Sequence, residues 1–396
     1  MPPRRSKRVR HPIVIIGNAI FTVILLLALV LGATAWWGKD RFEAAGPLAE
    51  DKVVNIPRGY GVKDIADLLV REGVIDQPYV FVAGAMVLKS RGEEMKAGEY
   101  EFQKRASLRD VANTIGEGKV VQHQLTIAEG LTSEQIVARL LESNILSGNI
   151  KEIPREGSLL PESYKFTRGT TREQVIQRMQ QAHKRVLQEV WDRRQPDLQV
   201  KTPEQLVILA SIIEKETGRH DERTRVASVF HNRLKTNMRL QSDPTIIYGL
   251  VGGKGSLGRQ LMRKEIEQPT PYNTYTITGL PPGPIANPGR ASLEAAANPA
   301  RAKELYFVAD GTGGHAFSEN YEQHQKNVAR LRVIEKDGQA TALPLADTAV
   351  APNPIQLPAA APRVAAPRPA APRPAAAQAV PARPAAQTTP AAPRIQ

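Results

Sequence analysis

The longest apolar stretch of the chain lies near its N-terminus. Residues 13–37, IVIIGNAIFTVILLLALVLGATAWW, carry no charge, and about 20 apolar residues are enough to span the hydrocarbon core of a bilayer. Trp36 and Trp37 end the stretch, and indole rings favour the membrane interface. Basic residues precede it, and such residues tend to stay in the cytoplasm. The pattern predicts a single membrane-spanning helix that places the rest of the chain outside.

Two other interpretations of this stretch stay open. A cleaved signal peptide would explain the small residues Ala33, Thr34 and Ala35, although the apolar run of a signal peptide has only about 7–15 residues. A buried core helix would explain the apolar run, but it would not explain the basic flank or the tryptophan pair.

An internal repeat follows the apolar stretch. NIPRGYGVKDIADLLVREGVI (55–75) aligns with TIAEGLTSEQIVARLLESNIL (126–146) at a constant offset of 71 residues. Each copy predicts a short strand, a turn at Gly59 or Gly130, and an amphipathic helix. Residues 96–119 have a similar strand-then-helix pattern. Small units of this kind should pack together, either as a purely structural module or as a carbohydrate-binding module of the LysM kind.

A second apolar helix is predicted in KTPEQLVILASIIEKETG. Thr202 is a candidate N-cap residue, Pro203 suits the first helical position, and Gln205 completes a capping box. Gly218 is a natural stop. Apolar residues cover nearly the whole circumference between these signals, which is typical of a buried helix.

Two acids end this helix, and helical geometry separates them. Glu214 and Glu216 are two positions apart, so their side chains point about 160° away from each other. A carboxyl at the edge of an apolar helix is partly desolvated, which raises its pKa and suits a general acid. One acid could therefore face a cleft while the other faces solvent or pairs with Lys215 or His220. The geometry does not choose between them.

The net charge of +13 looks at first like that of a nucleic-acid-binding protein. Most of it, however, sits at the two ends, because the segment between residues 13 and 340 carries only +4. A nucleic-acid partner is therefore not expected. The chain has no cysteine, which excludes disulfides and Cys-ligated metals. The histidines show no zinc-ligand spacing, and nucleotide-binding motifs are absent, so we expect no cofactor and no metal.

Two polar stretches after the helix are candidates for a sugar groove. RLQSDPTIIYG (239–249) contains Gln241 and Asp243, and TPYNTYTITGLPPGPIANPG (270–289) contains Tyr272, Asn273 and Tyr275. Amides and carboxylates can hydrogen-bond sugar hydroxyls, and aromatic faces can stack on sugar rings. The second stretch fits a rigid structural crossing equally well.

These stretches together resemble the YceG-like family of endolytic murein transglycosylases, called MltG. The resemblance covers about residues 45–335. It rests on sequence motifs that occur in the same order as in the family, namely EGSLLPESYKF, LASIIEKET, RVASVFHNRL, MRLQSDPTIIYG, TPYNTYTITGLPPGPIANPG, SLEAAANP and LYFVADGTGGHAFS. It implies a single-pass protein of the bacterial inner membrane whose C-terminal domains lie in the periplasm. It also implies cleavage of the MurNAc–GlcNAc β-1,4 bond within nascent glycan strands, which leaves 1,6-anhydro-MurNAc ends and terminates elongation.

The resemblance assigns the catalytic glutamate to Glu214 and leaves Glu216 as a helix-end or ion-pair residue. Gln241, Asp243, Tyr272, Asn273 and Tyr275 become its expected substrate-binding residues. The expected partners are peptidoglycan glycan strands, the membrane through one helix, and peptidoglycan synthases and division proteins. A wall-binding scaffold without activity is the competing class of function.

The expected fold class is α+β, with six segments along the chain. They are a cytoplasmic basic arm (1–12), a transmembrane helix (13–37), a linker (38–50), a LysM-like βα subdomain (51–150), a mixed α+β YceG-like catalytic domain (151–337) and a disordered Ala/Pro/Arg-rich tail (338–396).

Overall fold

The computed structural model of the protein describes residues 12–336. The predicted tail and the basic arm up to residue 11 lie outside this range. Within it, twelve α-helices and three two-stranded antiparallel sheets confirm the α+β class. The described residues belong to one compact unit, so the domain boundaries predicted from the sequence stay predictions.

Helix α1 (Pro12–Glu43) contains the long apolar stretch. Its segment Ile15–Glu43 is long and apolar enough to cross a membrane, and its most apolar window has no buried share. A core helix would bury that window, so the buried-helix interpretation is wrong. The helix continues past Trp37 to Glu43, and the first residues of the predicted linker are therefore helical.

The first βα unit contains the first copy of the repeat and two further helices. Strands β1 (Lys52–Ile56) and β2 (Gly98–Phe102) pair antiparallel, and Val54, Phe81 and Tyr100 lie in the core of this unit. Gly59 makes the predicted turn with φ of 88°, a left-handed conformation that glycine adopts without steric cost. The elements of this first unit are β1 (Lys52–Ile56), α2 (Val62–Arg71), α3 (Pro78–Ser90), β2 (Gly98–Phe102) and α4 (Leu108–Glu117).

The second βα unit contains the other copy of the repeat. Its elements are β3 (His123–Thr126), α5 (Ser133–Glu142), β4 (Ser163–Phe166) and α6 (Arg172–Asp192). The strands pair antiparallel, and Ile136, Phe166 and Met179 lie in a core separate from that of the first unit. The predicted strand, glycine turn and helix of each copy are confirmed. The two copies nevertheless bury their apolar faces in different cores, because each recruits a second strand and at least one further helix of its own.

The remaining elements include one buried helix, α7 (Pro203–Glu216). They are α7 (Pro203–Glu216), α8 (Arg223–Lys235), α9 (Asp243–Val251), α10 (Arg263–Glu267), α11 (Arg290–Ala297), β5 (Tyr306–Ala309), β6 (His315–Ser318) and α12 (Tyr321–Lys336). Helix α7 packs against α6, α8, α9 and α11, and Leu206, Leu209 and Ile213 on it are fully buried. The predicted buried helix is confirmed. It ends where the two acids lie, so the core of this region positions both of them.

A buried carboxylate joins the two βα units. Glu99 on β2 accepts hydrogen bonds from His123 on β3 and from Arg168 Nε, the latter at 2.8 Å. Burial alone would raise the pKa of Glu99, but the bonds from His123 and Arg168 outweigh it and hold the pKa below its usual value. The ionised form of Glu99 is therefore the form that stabilises this junction.

Glu99→Gln should weaken the junction, because the guanidinium of Arg168 loses its anionic partner. Arg168 is more than a third exposed, so solvent reduces the effect, and we expect a loss of about 2 kcal/mol at pH 7. A lowered folded pKa gives stability that is present above the unfolded value of 4.5 and lost as pH falls. Chemical denaturation at pH 7 and pH 4 should show a difference from wild type that shrinks on acidification. The exposed neighbour Glu101 supplies the control, and an equal loss in Glu101→Gln would contradict the assignment.

Candidate active site

Helix α7 begins much as the sequence predicts. The Thr202 hydroxyl accepts a hydrogen bond from the Gln205 N–H at 3.2 Å, and Pro203 occupies the first turn. The Gln205 side chain accepts from the N–H of Lys201 instead of that of Thr202, so the capping box is only half formed. The helix ends at Glu216, two residues before Gly218, because Thr217 is already extended. Both acids therefore lie in its last turn.

Glu214 is buried between the starts of α8 and α11. Its Oε2 accepts a hydrogen bond from the N–H of Gly289 at 2.8 Å, and its Oε1 lies 3.8 Å from Nη2 of Arg223. Gly289 is the N-cap residue of α11, where the helix dipole favours an anion. Arg223 is also buried, and its Nη1 lies 2.9 Å from Nδ1 of His220. Both oxygens of Glu214 thus face donors from within the protein.

A second acid near Glu214 comes from the second βα unit. Glu129 lies so close to Gly289 that a Cβ added to this glycine would be 1.9 Å from Glu129 Oε1. Burial raises the pKa of Glu129, and the nearby carboxylate of Glu214 raises it further. Sequence reasoning missed Glu129, because the two acids meet only through packing between distant segments. Its position beside the turn glycine of the repeat was the one available signal.

Glu216 lies in a different environment from Glu214. Its Oε1 accepts a hydrogen bond from the Ser242 hydroxyl at 2.5 Å, and its side chain is half-buried. Burial raises the pKa of Glu216 to about 7, and Asp243 contributes in the same direction. The bond from Ser242 and the charge of Arg233 act against this rise. The sequence suggested Lys215 or His220, which are close along the chain, as partners of such an acid. Ser242, which donates this hydrogen bond to Glu216, lies 26 residues further along the chain.

The two polar stretches meet at Glu216. The N–H of Gln241 donates to the Thr274 carbonyl at 3.2 Å, and the N–H of Ser242 donates to the Thr274 hydroxyl at 2.9 Å. The Tyr275 hydroxyl donates to Asp243 Oδ1 at 2.6 Å. Three of the predicted substrate-binding residues, Gln241, Asp243 and Tyr275, thus lie on the segments that surround Glu216.

Gln241 has an unusual backbone conformation. Its φ of 51° is in the left-handed region, which costs a residue other than glycine about 1 kcal/mol or more. The backbone bond to Thr274 holds the residue there, while its side chain is exposed. Strain of this kind is often kept at functional sites.

The other two predicted substrate-binding residues have internal contacts. Asn273 is fully buried, and its Nδ2 donates to the carbonyl of Gln268 at 2.7 Å and to that of Ile266 at 3.0 Å. Its amide therefore shapes the loop from within. Tyr272 is half-buried, with its ring centroid 5.0 Å from that of Tyr248. Contact of either residue with a sugar stays a prediction.

Arg233 is a second residue that sequence reasoning missed. It lies buried on α8, where its Nε donates to the Leu305 carbonyl at 2.7 Å and its Nη1 donates to the Leu240 carbonyl at 2.6 Å. These bonds fix a cation close enough to lower the pKa of Glu216. In the sequence, an arginine in a polar helix looks like a surface residue.

Known proteins resemble this chain over most of its length. The model of the YceG-like family matches residues 54–330. A Bacillus subtilis protein named endolytic murein transglycosylase is 31% identical over 334 residues, which cover 75% of this chain and 90% of that protein. A Streptococcus pneumoniae protein of the same name is 29% identical over 325 residues, and the match covers 70% of this chain but only 57% of the longer relative.

A crystal structure from Listeria monocytogenes, titled as a yceG-like protein, is also similar. It shares 32% sequence identity and covers 70% of this chain and 99% of its own, with a TM-score of 0.42. The family match extends from the first strand of the repeat into α12 and includes both acids and both polar stretches. On this match, the chain belongs to the YceG-like family.

Proposed function

We propose that this protein is a membrane-anchored endolytic lytic transglycosylase of peptidoglycan. It cleaves the MurNAc–GlcNAc β-1,4 bond within nascent glycan strands, leaves 1,6-anhydro-MurNAc ends and so terminates elongation. The names of the Bacillus and Streptococcus relatives support the substrate and the reaction class. The apolar helix α1 supports the anchor, with the basic arm in the cytoplasm and the later domains in the periplasm. Synthases and division proteins that work on the same strands are the candidate protein partners.

The acid that carries the reaction is Glu216 in this proposal. The observation behind the choice is its raised pKa of about 7 at the meeting point of the two polar stretches. A general acid works best when its pKa lies near the operating pH, because it must both hold and release a proton. Glu214, the residue that the family resemblance favours, stays the alternative, and its contacts with Gly289 and Arg223 give it a structural role.

The reaction needs one carboxyl group. Protonated Glu216 donates its proton to the glycosidic oxygen as the bond to C1 of MurNAc breaks. The C6 hydroxyl of the same sugar attacks C1, and the carboxylate of Glu216 accepts the proton of that hydroxyl. Because the nucleophile belongs to the substrate, the reaction consumes no water and does not require the second carboxylate of an ordinary glycosidase.

The neighbours of Glu216 serve its two protonation states. Asp243 favours the protonated acid, whereas the Ser242 hydroxyl and Arg233 stabilise the carboxylate that forms after proton transfer. Gln241, Asp243, Tyr272 and Tyr275 provide sugar contacts, and Asn273 holds their loop in shape.

The reaction class is tested by the products formed from purified sacculi. The full-length protein in detergent or nanodiscs should generate 1,6-anhydro-MurNAc ends, detected by mass spectrometry of the muropeptides. Reducing-end MurNAc would identify a hydrolase and contradict the intramolecular step. Binding to sacculi without either product would identify a scaffold.

A further inference from the structure

Helix α3 presents an apolar face to the outside of the first βα unit. Tyr79, Ala83, Met86 and Val87 are exposed, and their three- and four-residue spacing places them on one side of the helix. We call these four residues the α3 face. The exposed fractions reach 88% at Tyr79 and 61% at Met86. The outer side of a surface helix is ordinarily polar or charged, whereas this apolar face is left uncovered by the residues that the structure describes, 12–336.

The buried side of α3 shows that the apolar outer face is not needed for folding. Phe81 and Ala85 on the opposite side are fully buried in the core of the first unit. The helix already has its core contacts through these residues. The α3 face is therefore apolar surface that the core does not need. Contiguous exposed apolar surface of this kind often marks an interaction site.

Helix α3 packs directly against the end of the anchor. A Cβ added to Gly84 would lie 2.2 Å from the ring of Phe42 in the last turn of α1, so the absence of a side chain at Gly84 makes room for that ring. Phe42 also packs against the core of the first unit. The anchor therefore continues into this unit through a close side-chain contact.

The distance from the anchor's tryptophans sets the depth of α3. Phe42 follows Trp37 by five residues, which is about 7.5 Å of helix. The headgroup layer on each side of a bilayer is roughly 5–7 Å thick. If Trp36 and Trp37 mark the edge of the hydrocarbon core, Phe42 lies at the outer boundary of the headgroup layer, and α3, which packs on Phe42, lies beside that boundary.

The charges around the α3 face do not form a basic patch. Lys89 and Arg91 follow the face, and Glu93 and Glu94 come directly after them. The balance argues against attraction to anionic lipid and for insertion of apolar side chains. Binding should therefore not require anionic lipid.

We propose that the α3 face inserts into the headgroup region of the bilayer that α1 crosses. The first βα unit then rests on the membrane surface instead of projecting from it on a stalk. The inference depends on the proposed anchoring role of α1 and goes beyond it, because an anchor alone would leave α3 in water.

Single cysteines test the proposal cleanly, because the chain has none of its own. We would place nitroxide labels at Val87→Cys, at Asp67→Cys on the exposed side of α2, and at Leu27→Cys within α1. The full chain would be studied in vesicles of zwitterionic phosphatidylcholine. Relaxation of each label by oxygen, which partitions into lipid, would be compared with relaxation by a water-soluble nickel chelate.

The expected result is a higher oxygen-to-nickel ratio at positions 27 and 87 than at position 67. A lipid-like ratio at 27 with a water-like ratio at 87 would overturn the inference and leave the anchor intact. A water-like ratio at 27 would overturn the anchor as well. Shielding at 87 that disappears on dilution of the protein in lipid would show that a second copy covers the face, which also overturns the inference.

A charged variant supplies a second measurement. In Met86→Glu/Val87→Glu, both changes are at exposed positions, so the first unit should keep its fold, as checked by circular dichroism. A label at Tyr79→Cys should then shift from the lipid-like to the water-like ratio. An unchanged ratio in this folded variant would count against insertion of the α3 face.

Discussion

Replacing Glu216 with glutamine should abolish nearly all glycan cleavage, whereas replacing Glu214 should leave much of it. Glutamine can still accept the hydrogen bond from Ser242, but it cannot donate a proton to the glycosidic oxygen. Loss of general acid–base catalysis costs roughly 10²–10⁴-fold in rate. The measurement is the rate at which anhydro-muropeptides form from purified sacculi, per mole of folded protein.

Glu214→Gln is the matched control, since it lies on the same helix and makes the same exchange of carboxylate for amide. It removes the anionic partner of Arg223, so some loss of stability is expected, and circular dichroism would give the folded fraction. If folded Glu214→Gln were inactive while Glu216→Gln kept its rate, the acid would be Glu214. Loss of activity in one folded variant and its retention in the other therefore identifies the acid.

The same Glu216→Gln substitution should stabilise the protein in alkaline solution. The folded pKa of Glu216 is about 7 and the unfolded value 4.5. A raised folded pKa gives stability that is fully present below 4.5 and lost as pH rises through 7. Above pH 7 the wild type holds a charge in a partly desolvated site, at a cost of up to about 3 kcal/mol. The glutamine variant avoids this cost.

Chemical denaturation of the full chain in detergent, followed by circular dichroism, would measure the effect. At pH 8 the variant should unfold at higher denaturant concentration than wild type, and at pH 4 the two should coincide. Glu204→Gln, at the exposed start of α7, should change little at either pH. Equal stability of wild type and Glu216→Gln at pH 8 would show that Glu216 is not desolvated, and would remove the main reason for choosing it.

Local sequence patterns predicted the elements that depend on local chemistry. The apolar run gave α1, the glycine turns gave both copies of the repeat, and the capping residues together with all-round hydrophobicity gave α7. These signals depend on neighbours within one or two helical turns. Local patterns did not predict that β1 pairs with β2 and β3 with β4, because these pairings join segments far apart along the chain. It is this pairing that places the two copies of the repeat in separate cores.

The choice between the two acids needed tertiary contacts for the same reason. Helical periodicity separated Glu214 from Glu216, but desolvation is decided by what packs over each side chain. Ser242 reaches Glu216 from a turn beyond α8, and Gly289 reaches Glu214 from the cap of α11. Glu129 and Arg233 were missed because their partners also lie far away along the chain.

The close packing of Phe42 on Gly84 has a geometric consequence for the proposed enzyme. A flexible linker after the anchor would let the active site sample a thick layer of wall, whereas a helix fixed to the first βα unit holds the site at one height above the bilayer. The protein would then move in two dimensions and cut only strands that pass through a thin slab beside the membrane. The height of the site above the bilayer would then contribute to substrate selection, because strands outside this layer would be out of reach whatever their chemistry.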